Sequence, residues 1–200
     1  MTEGQIGLSS VLGTKPVGTG GFLDPVKIVG SFGIKEGMRI ADFGSGAGYF
    51  TILVAEIVGS SGKVIAVDIM DDALATVRAK AQAERLTNVE TVKSNLEVAG
   101  SSGADSGSQD MVLLVNALYQ SEKKISIIEE ARRILKPEGK LILIDWQKGT
   151  GGFGPPDDRR LNSEAMRNIT LSAGFELENV IDAGVFHYGF IFKKIGNNHS

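Results

Sequence analysis

Three glycines on alternate positions, Gly44, Gly46 and Gly48, follow Asp42 in the run ADFGSGAGYF and precede an apolar stretch. Glycine lacks a β-carbon, so such a loop lets main-chain N–H groups close on a ligand in conformations other residues avoid. A second acid, Asp68, ends the run VIAVD. It stands roughly 20 residues beyond the loop, where a carboxylate meets ribose hydroxyls in a nucleotide-binding βαβ unit. The chemistry on offer is amide recognition of an anionic or zwitterionic group, with carboxylate recognition of a diol.

Two familiar ligands fit poorly. A triphosphate cradle needs Lys-Ser or Lys-Thr after its last glycine, and none follows here. A dinucleotide fingerprint reads GxGxxG, but Tyr49 occupies its last position and the spacing is GxGxG. The chain has no cysteine, which excludes thiolate nucleophiles, disulfides and thiolate metal sites. Its 200 residues, 42% hydrophobic and 22% charged with a net charge of −3, suit one globular domain. No basic stripe invites nucleic acid. No apolar run approaches the roughly 18–20 residues of a membrane span. With no signal pattern in the first residues, the expectation is a cytoplasmic protein.

The elements that must position the loop alternate along the chain. Residues 1–21, rich in Gly, Ser and Thr, are expected to form a flexible arm, and 22–200 a single domain. Asp24 and Pro25 open a short helix. MRIADF reads as a strand. YFTILVAEIV reads as a helix with Phe50, Leu53, Val54 and Ile57 on one apolar face, ended by Gly59. KVIAVDI, VETVK, DMVLLVNA and KLILIDW read as strands. DDALATVRAKAQAERL and SEKKISIIEEARRIL read as the helices between them. AGSSGADSGSQ reads as a surface loop and KPEG as a turn with Pro137 at i+1. After the Gly/Pro loop 147–161, Asn162 caps a helix that Gly174 closes. FELENVID and VFHYGFIFKK follow as strands joined tightly by Ala183 and Gly184. This alternation specifies an α/β, doubly wound, Rossmann-like sheet with an antiparallel hairpin added.

RIADFGSGAGYF, VIAVDI and RRILKPEGKLILID, in that order, resemble the first motif, second motif and late turn-and-strand of class I S-adenosylmethionine-dependent methyltransferases. Within that class the chain is most similar to small bacterial and archaeal enzymes resembling quinone-biosynthesis methyltransferases. The likeness is specific over about residues 35–146. It implies seven strands in the order 3-2-1-4-5-7-6, the last antiparallel, and S-adenosylmethionine as cofactor, with no metal. It also implies that Gly44, Ser45, Gly46 and Gly48 hold the methionine part and that Asp42 orients the loop and favours the cationic end. Asp68 would accept the ribose hydroxyls, and Ile69 and Leu96 would sandwich the adenine. Asn95 stands where the family commonly has Asp, a departure that removes the charge from the bond to the adenine amino group.

Asn116 could contact the methionine end or the acceptor, and with Tyr119, His187 and Tyr188 it is a catalytic candidate. Trp146 could cover an apolar acceptor or pack in the core. Arg159 and Arg160 read as a solvated pair, with an anion-binding role as the alternative. Without cysteine, cytosine C5 transfer and the thiolate-based arsenite chemistry of related enzymes do not fit. NALY lacks the prolines of the motif seen in enzymes acting on exocyclic amines. A small-molecule acceptor is expected, with a protein side chain as the alternative. A non-catalytic cofactor-binding module and a nicotinamide-dependent oxidoreductase are the rival functions. Asp68→Ala is expected to weaken cofactor binding by about 1–3 kcal/mol, the scale of lost charge-assisted hydrogen bonds, as read by calorimetric titration. Gly46→Val is expected to abolish that binding while circular dichroism shows the sheet intact.

Overall fold

A computed structural model describes residues 23–196, so the expected arm at 1–21 lies outside the described residues. The elements are α1 (Pro25–Val29), β1 (Arg39–Phe43), α2 (Tyr49–Val58), β2 (Lys63–Asp68), α3 (Asp71–Ala83), β3 (Val89–Lys93) and β4 (Gln109–Val115). They continue with α4 (Lys124–Ile134), β5 (Leu135–Trp146), α5 (Ser163–Ser172), β6 (Phe175–Ile181) and β7 (His187–Lys194). The strands form one sheet in the order β3-β2-β1-β4-β5-β7-β6. Strands β1 to β5 pair in parallel, and β7 runs antiparallel to both β5 and β6. This is the doubly wound sheet that the alternation specifies. The central strands are buried on both faces, which is why β1, β2, β4 and β5 read as continuous apolar runs.

Strand alternation sends Ile40, Val64, Leu113 and Ile142 to one face, against α1 and α2. Phe43, Val67, Leu114 and Leu143 go to the other, against α4 and α5. The caps form as the sequence specifies: Asp24 accepts from the Val26 and Lys27 amides, and Asn162 accepts from Ala165 N–H.

Four local expectations need correction. Helix α2 is enclosed by the sheet, α1 and α3, so residues 50–55 are buried all round, Thr51 included, while Ile57 is 42% exposed. Strand β5 begins before the KPEG turn. The turn is a bulge at which pairing jumps from Gln109↔Leu135 to Met111↔Lys140, and Glu138 takes a φ of 65° and pairs with Lys193. The β6–β7 connection is the longer segment 182–186, closed by Gly184 N–H on Asp182 Oδ1 (3.1 Å) with Ala183 buried. Finally, the 99–108 segment is not wholly surface. Ser102 and Ala104 are buried, and buried Glu130 accepts from Gly100 N–H (2.8 Å), Ser102 N–H (3.1 Å) and Arg133 Nη2 (2.7 Å).

Burial by itself would raise the Glu130 pKa, but the bonds from Arg133, Ser102 and Gly100 outweigh it and hold the group at about 2. Because the folded-state value is depressed, this stabilisation is full above the ordinary value of 4.5 and is lost as pH falls toward 2. Glu130→Ala should cost about 1–3 kcal/mol at pH 7, since it leaves the Gly100 and Ser102 amides without their acceptor, while Arg133 keeps its bonds to Ala104 O and Ser106 Oγ. In urea melts the gap between wild type and variant should close across that acidic window.

Candidate functional site

The glycine loop leaves β1 and stays bonded across to β2: Gly44 N–H and Ser45 N–H both donate to the Val67 carbonyl (2.8 and 3.2 Å). Gly48 N–H donates to Ser45 O at 2.9 Å, closing the turn into α2. A β-carbon at Gly44 would lie 2.8 Å from Ala117 Cβ, and one at Gly48 would lie 2.8 Å from Val77 Cγ2. At Gly46 a β-carbon would meet nothing within 4 Å, although φ is +50°. Gly44 and Gly48 are thus fixed by protein neighbours, while Gly46 faces open space on the cleft side.

The loop forms one wall of a cleft of about 690 Å³ at the carboxyl ends of the parallel strands, within the range of ligand pockets. Its wall includes Gly44, Ser45, Gly46, Asp68, Ile69, Asn95, Leu96, Asn116 and Tyr119. Asp68 Oδ2 accepts Gly46 N–H and Oδ1 accepts Met70 N–H, both at 2.9 Å. One carboxylate therefore braces the loop and holds the turn that leads into α3, and each oxygen keeps a second lone pair for a further bond. Ile69 is 59% exposed, and Leu96 is buried against the core. Asn95 Oδ1 already accepts Glu97 N–H at 3.0 Å.

Asp42 and Gly48 are not on the cleft wall. Asp42 is buried under the loop, where Oδ2 accepts Thr51 Oγ1–H at 2.6 Å. Burial pushes its pKa up to about 6. The Thr51 bond opposes this, and the Asp68 charge adds to it.

The other half of the cleft is built from Asn116, Ala117, Tyr119, Trp146, Gly154 and Pro155. Asn116 adopts the left-handed region (φ 53°), an uncommon state for a residue with a side chain. Buried Asp145 organises this half. Its Oδ2 accepts Tyr119 N–H (3.0 Å) and its Oδ1 accepts Trp146 N–H (2.8 Å). Burial raises the Asp145 pKa to about 6 against these bonds. Tyr119 is likewise raised, by burial and then by Asp145.

His187 and Tyr188 do not reach the cleft wall. The His187 ring lies 4.1 Å from the Trp146 ring, both its nitrogens are buried without partners among the described residues, and burial drives its pKa down to about 4. Tyr188, on the opposite face of the sheet, has a buried hydroxyl with no partner among the described residues, and burial raises its pKa.

Arg160 is not part of a solvated pair. It is 5% exposed and donates to Pro155 O (2.8 Å), Gln147 O (3.3 Å), Thr150 Oγ1 (3.0 Å) and Phe153 O, with its guanidinium 5.4 Å from the Trp146 ring. It thereby ties down the 147–155 loop, and Arg159 is left exposed. Sequence reasoning missed Thr51, Lys80, Asp145 and Arg160 as supports of the site. Asp145 had a signal, since LILID ends in an acid as RIAD and VIAVD do.

Three buried polar atoms on the cleft wall have no partner among the described residues: Ser45 Oγ, Ser94 Oγ and Asn116 Oδ1. Buried polar atoms are almost always bonded, so these point to a polar ligand. With the loop amides, Asp68 and the apolar pair Ile69 and Leu96, they fit a ligand that joins an amino-acid tail to a nucleoside.

Comparison with known proteins agrees with this geometry. A family model described as "Methyltransferase domain" matches residues 34–174. The chain is 31% identical over 124 residues to a demethylmenaquinone methyltransferase of Lactococcus lactis, covering 62% of this chain and 48% of that protein. It is 34% identical over 142 residues to an arsenite methyltransferase of Aquipseudomonas alcaligenes, covering 69% and 38%. The chain thus spans half or less of the length of these curated relatives. A solved structure of a SAM-dependent methyltransferase from Aquifex aeolicus superposes with a TM-score of 0.79 at 28% identity, covering 87% of this chain and 91% of that one. The cleft and the match over residues 34–174 lead to one conclusion: this chain belongs to the class I S-adenosylmethionine-dependent methyltransferases.

Proposed function

We propose that this chain methylates a small organic molecule held in the Asn116–Trp146 half of the cleft. The observation that carries this reading is the unpartnered, buried Asn116 Oδ1 on the same wall as Tyr119, Trp146 and Pro155. Such a surface suits an acceptor with an apolar body and one polar group, because Asn116 Oδ1 accepts a hydrogen bond and the surrounding side chains exclude water.

Bound S-adenosylmethionine supplies an electrophilic methyl group and a neutral thioether leaving group. The chain's own residues supply alignment. The amides and Ser45 of the glycine loop would hold the amino-acid tail. Asp68 would accept from the ribose, Ile69 and Leu96 would flank the adenine, and Asn95 would bond its edge. Asn116 would orient the acceptor, and Tyr119 would close the cleft over it. Asp42 acts from beneath, through Thr51, on the first turn of α2.

The two relatives named above act on a demethylmenaquinone and on arsenite. Of these the organic acceptor is the better guide, since a chain without cysteine offers no thiolate to an arsenic centre. A cleft of about 690 Å³ with Gly154 and Pro155 of this loop on its wall also suits a small molecule.

Incubation with methyl-tritiated S-adenosylmethionine and fractionated cell extract tests the proposal. Label is expected in the low-mass organic fraction. Label confined to protein, or tight cofactor binding with no label transferred to any fraction, would overturn it in favour of a protein methyltransferase or a non-catalytic module.

A further inference from the structure

Helix α3 touches the glycine loop at two points one turn apart. Val77 fills the space a β-carbon at Gly48 would need, its Cγ2 lying 2.8 Å from that position. Lys80, three residues on and so on the same helix face, sends its ammonium to the Ala47 carbonyl at 2.8 Å. The same nitrogen lies 3.9 Å from the centroid of the Tyr49 ring, within the range of a cation–π contact. The peptide between Ala47 and Gly48 is therefore held at both ends, its carbonyl by Lys80 and its N–H by Ser45 O. One residue earlier, Gly46 N–H is held by Asp68.

We propose that Lys80 is a positioning residue for the cofactor: it sets the Ala47–Gly48 peptide plane and the Tyr49 ring, and through them the shape of the loop that grips the amino-acid tail. Ala47 and Tyr49 both line the cleft, whereas Lys80 does not, so Lys80 acts only through them. The arrangement also gives Tyr49 a use. A glycine at that position would leave the ammonium without its aromatic platform. Burial lowers the Lys80 pKa from its ordinary value, as expected for an ammonium partly withdrawn from water to make these contacts.

The inference rests on the cofactor assignment of the cleft, and the test separates the two. S-adenosylhomocysteine is titrated calorimetrically into wild type, Lys80→Met, Lys80→Arg and Tyr49→Leu, with thermal melts alongside. Lys80→Met is expected to weaken binding about tenfold, the scale of a lost charge-assisted hydrogen bond, with the melting temperature within a few degrees of wild type. Lys80→Arg, which keeps a donor and a cation, should recover most of the affinity, and Tyr49→Leu should fall between. A lowered melting temperature with unchanged affinity would reduce Lys80 to a packing residue and overturn the proposal, as would equal losses in Lys80→Arg and Lys80→Met. No binding by the wild-type chain would overturn the cofactor reading and this inference with it.

Discussion

At Gly44 and Gly48 the glycine loop passes so close to Ala117 and Val77 that a β-carbon would stand 2.8 Å from a side-chain atom. Real β-carbons do not tolerate that distance, so the loop can take this path only where the side chain is missing. The consequence is geometric. Pressed between the end of β4 and helix α3, the loop turns back over β2, and the Val67 carbonyl receives two of its amides. Gly46, between the two tight points, is left facing open space. The cleft exists because its neighbours pin the loop on either side of the residue that faces it.

Three strands carry an aspartate at or next to their last residue, and the same residue type does different work at each. Asp68 stays partly exposed and shares its oxygens between Gly46 and Met70, so it reaches the cleft while bracing its rim. Asp42 is fully enclosed, is held by Thr51 and has its pKa pushed up to about 6, which makes it a support beneath the loop. Asp145 is enclosed as well, and its two amide bonds fix Tyr119, beyond the end of β4, and Trp146, the last residue of β5. Burial and available donors, more than position on the strand, divide the three roles.

The sheet was legible because its strands are apolar runs separated by helices of regular period, and parallel crossovers leave few arrangements. The loop was legible because glycine spacing and a following acid are local features. What escaped notice depends on contacts distant in sequence. Lys80 reads as an ordinary surface lysine beside Arg78 on a largely solvated helix until the fold brings it to Ala47, 33 positions away. Arg160 looks like half of an exposed basic pair, yet the carbonyls of its own loop turn inward to enclose it. Ile57 fits a helical stripe, but α2 is covered on several sides, and the stripe says nothing of which end emerges. The Ala183–Gly184 pair suggests a tight hairpin, but the strands end at Ile181 and resume at His187, and Ala183 is buried, which composition alone does not signal.

The ionisable groups near the acceptor half bear on the kind of reaction this architecture can support. At neutral pH His187 is uncharged, with its pKa driven down to about 4, and its ring is screened from the cleft by Trp146. Tyr188 is pushed the other way and points into the opposite layer. Burial raises the pKa of Asp145, but the group is enclosed off the cleft wall, with each oxygen turned to a main-chain amide. Glu97, on the wall, accepts the Ser121 hydroxyl at 2.6 Å. General-base catalysis needs an acceptor free to reach the departing proton. These residues offer placement and exclusion of water instead. On the proposed reading, acceptors that arrive with an available lone pair, or with a proton acidic enough to be lost to solvent, suit the described residues of this cleft better than those that must be deprotonated in place.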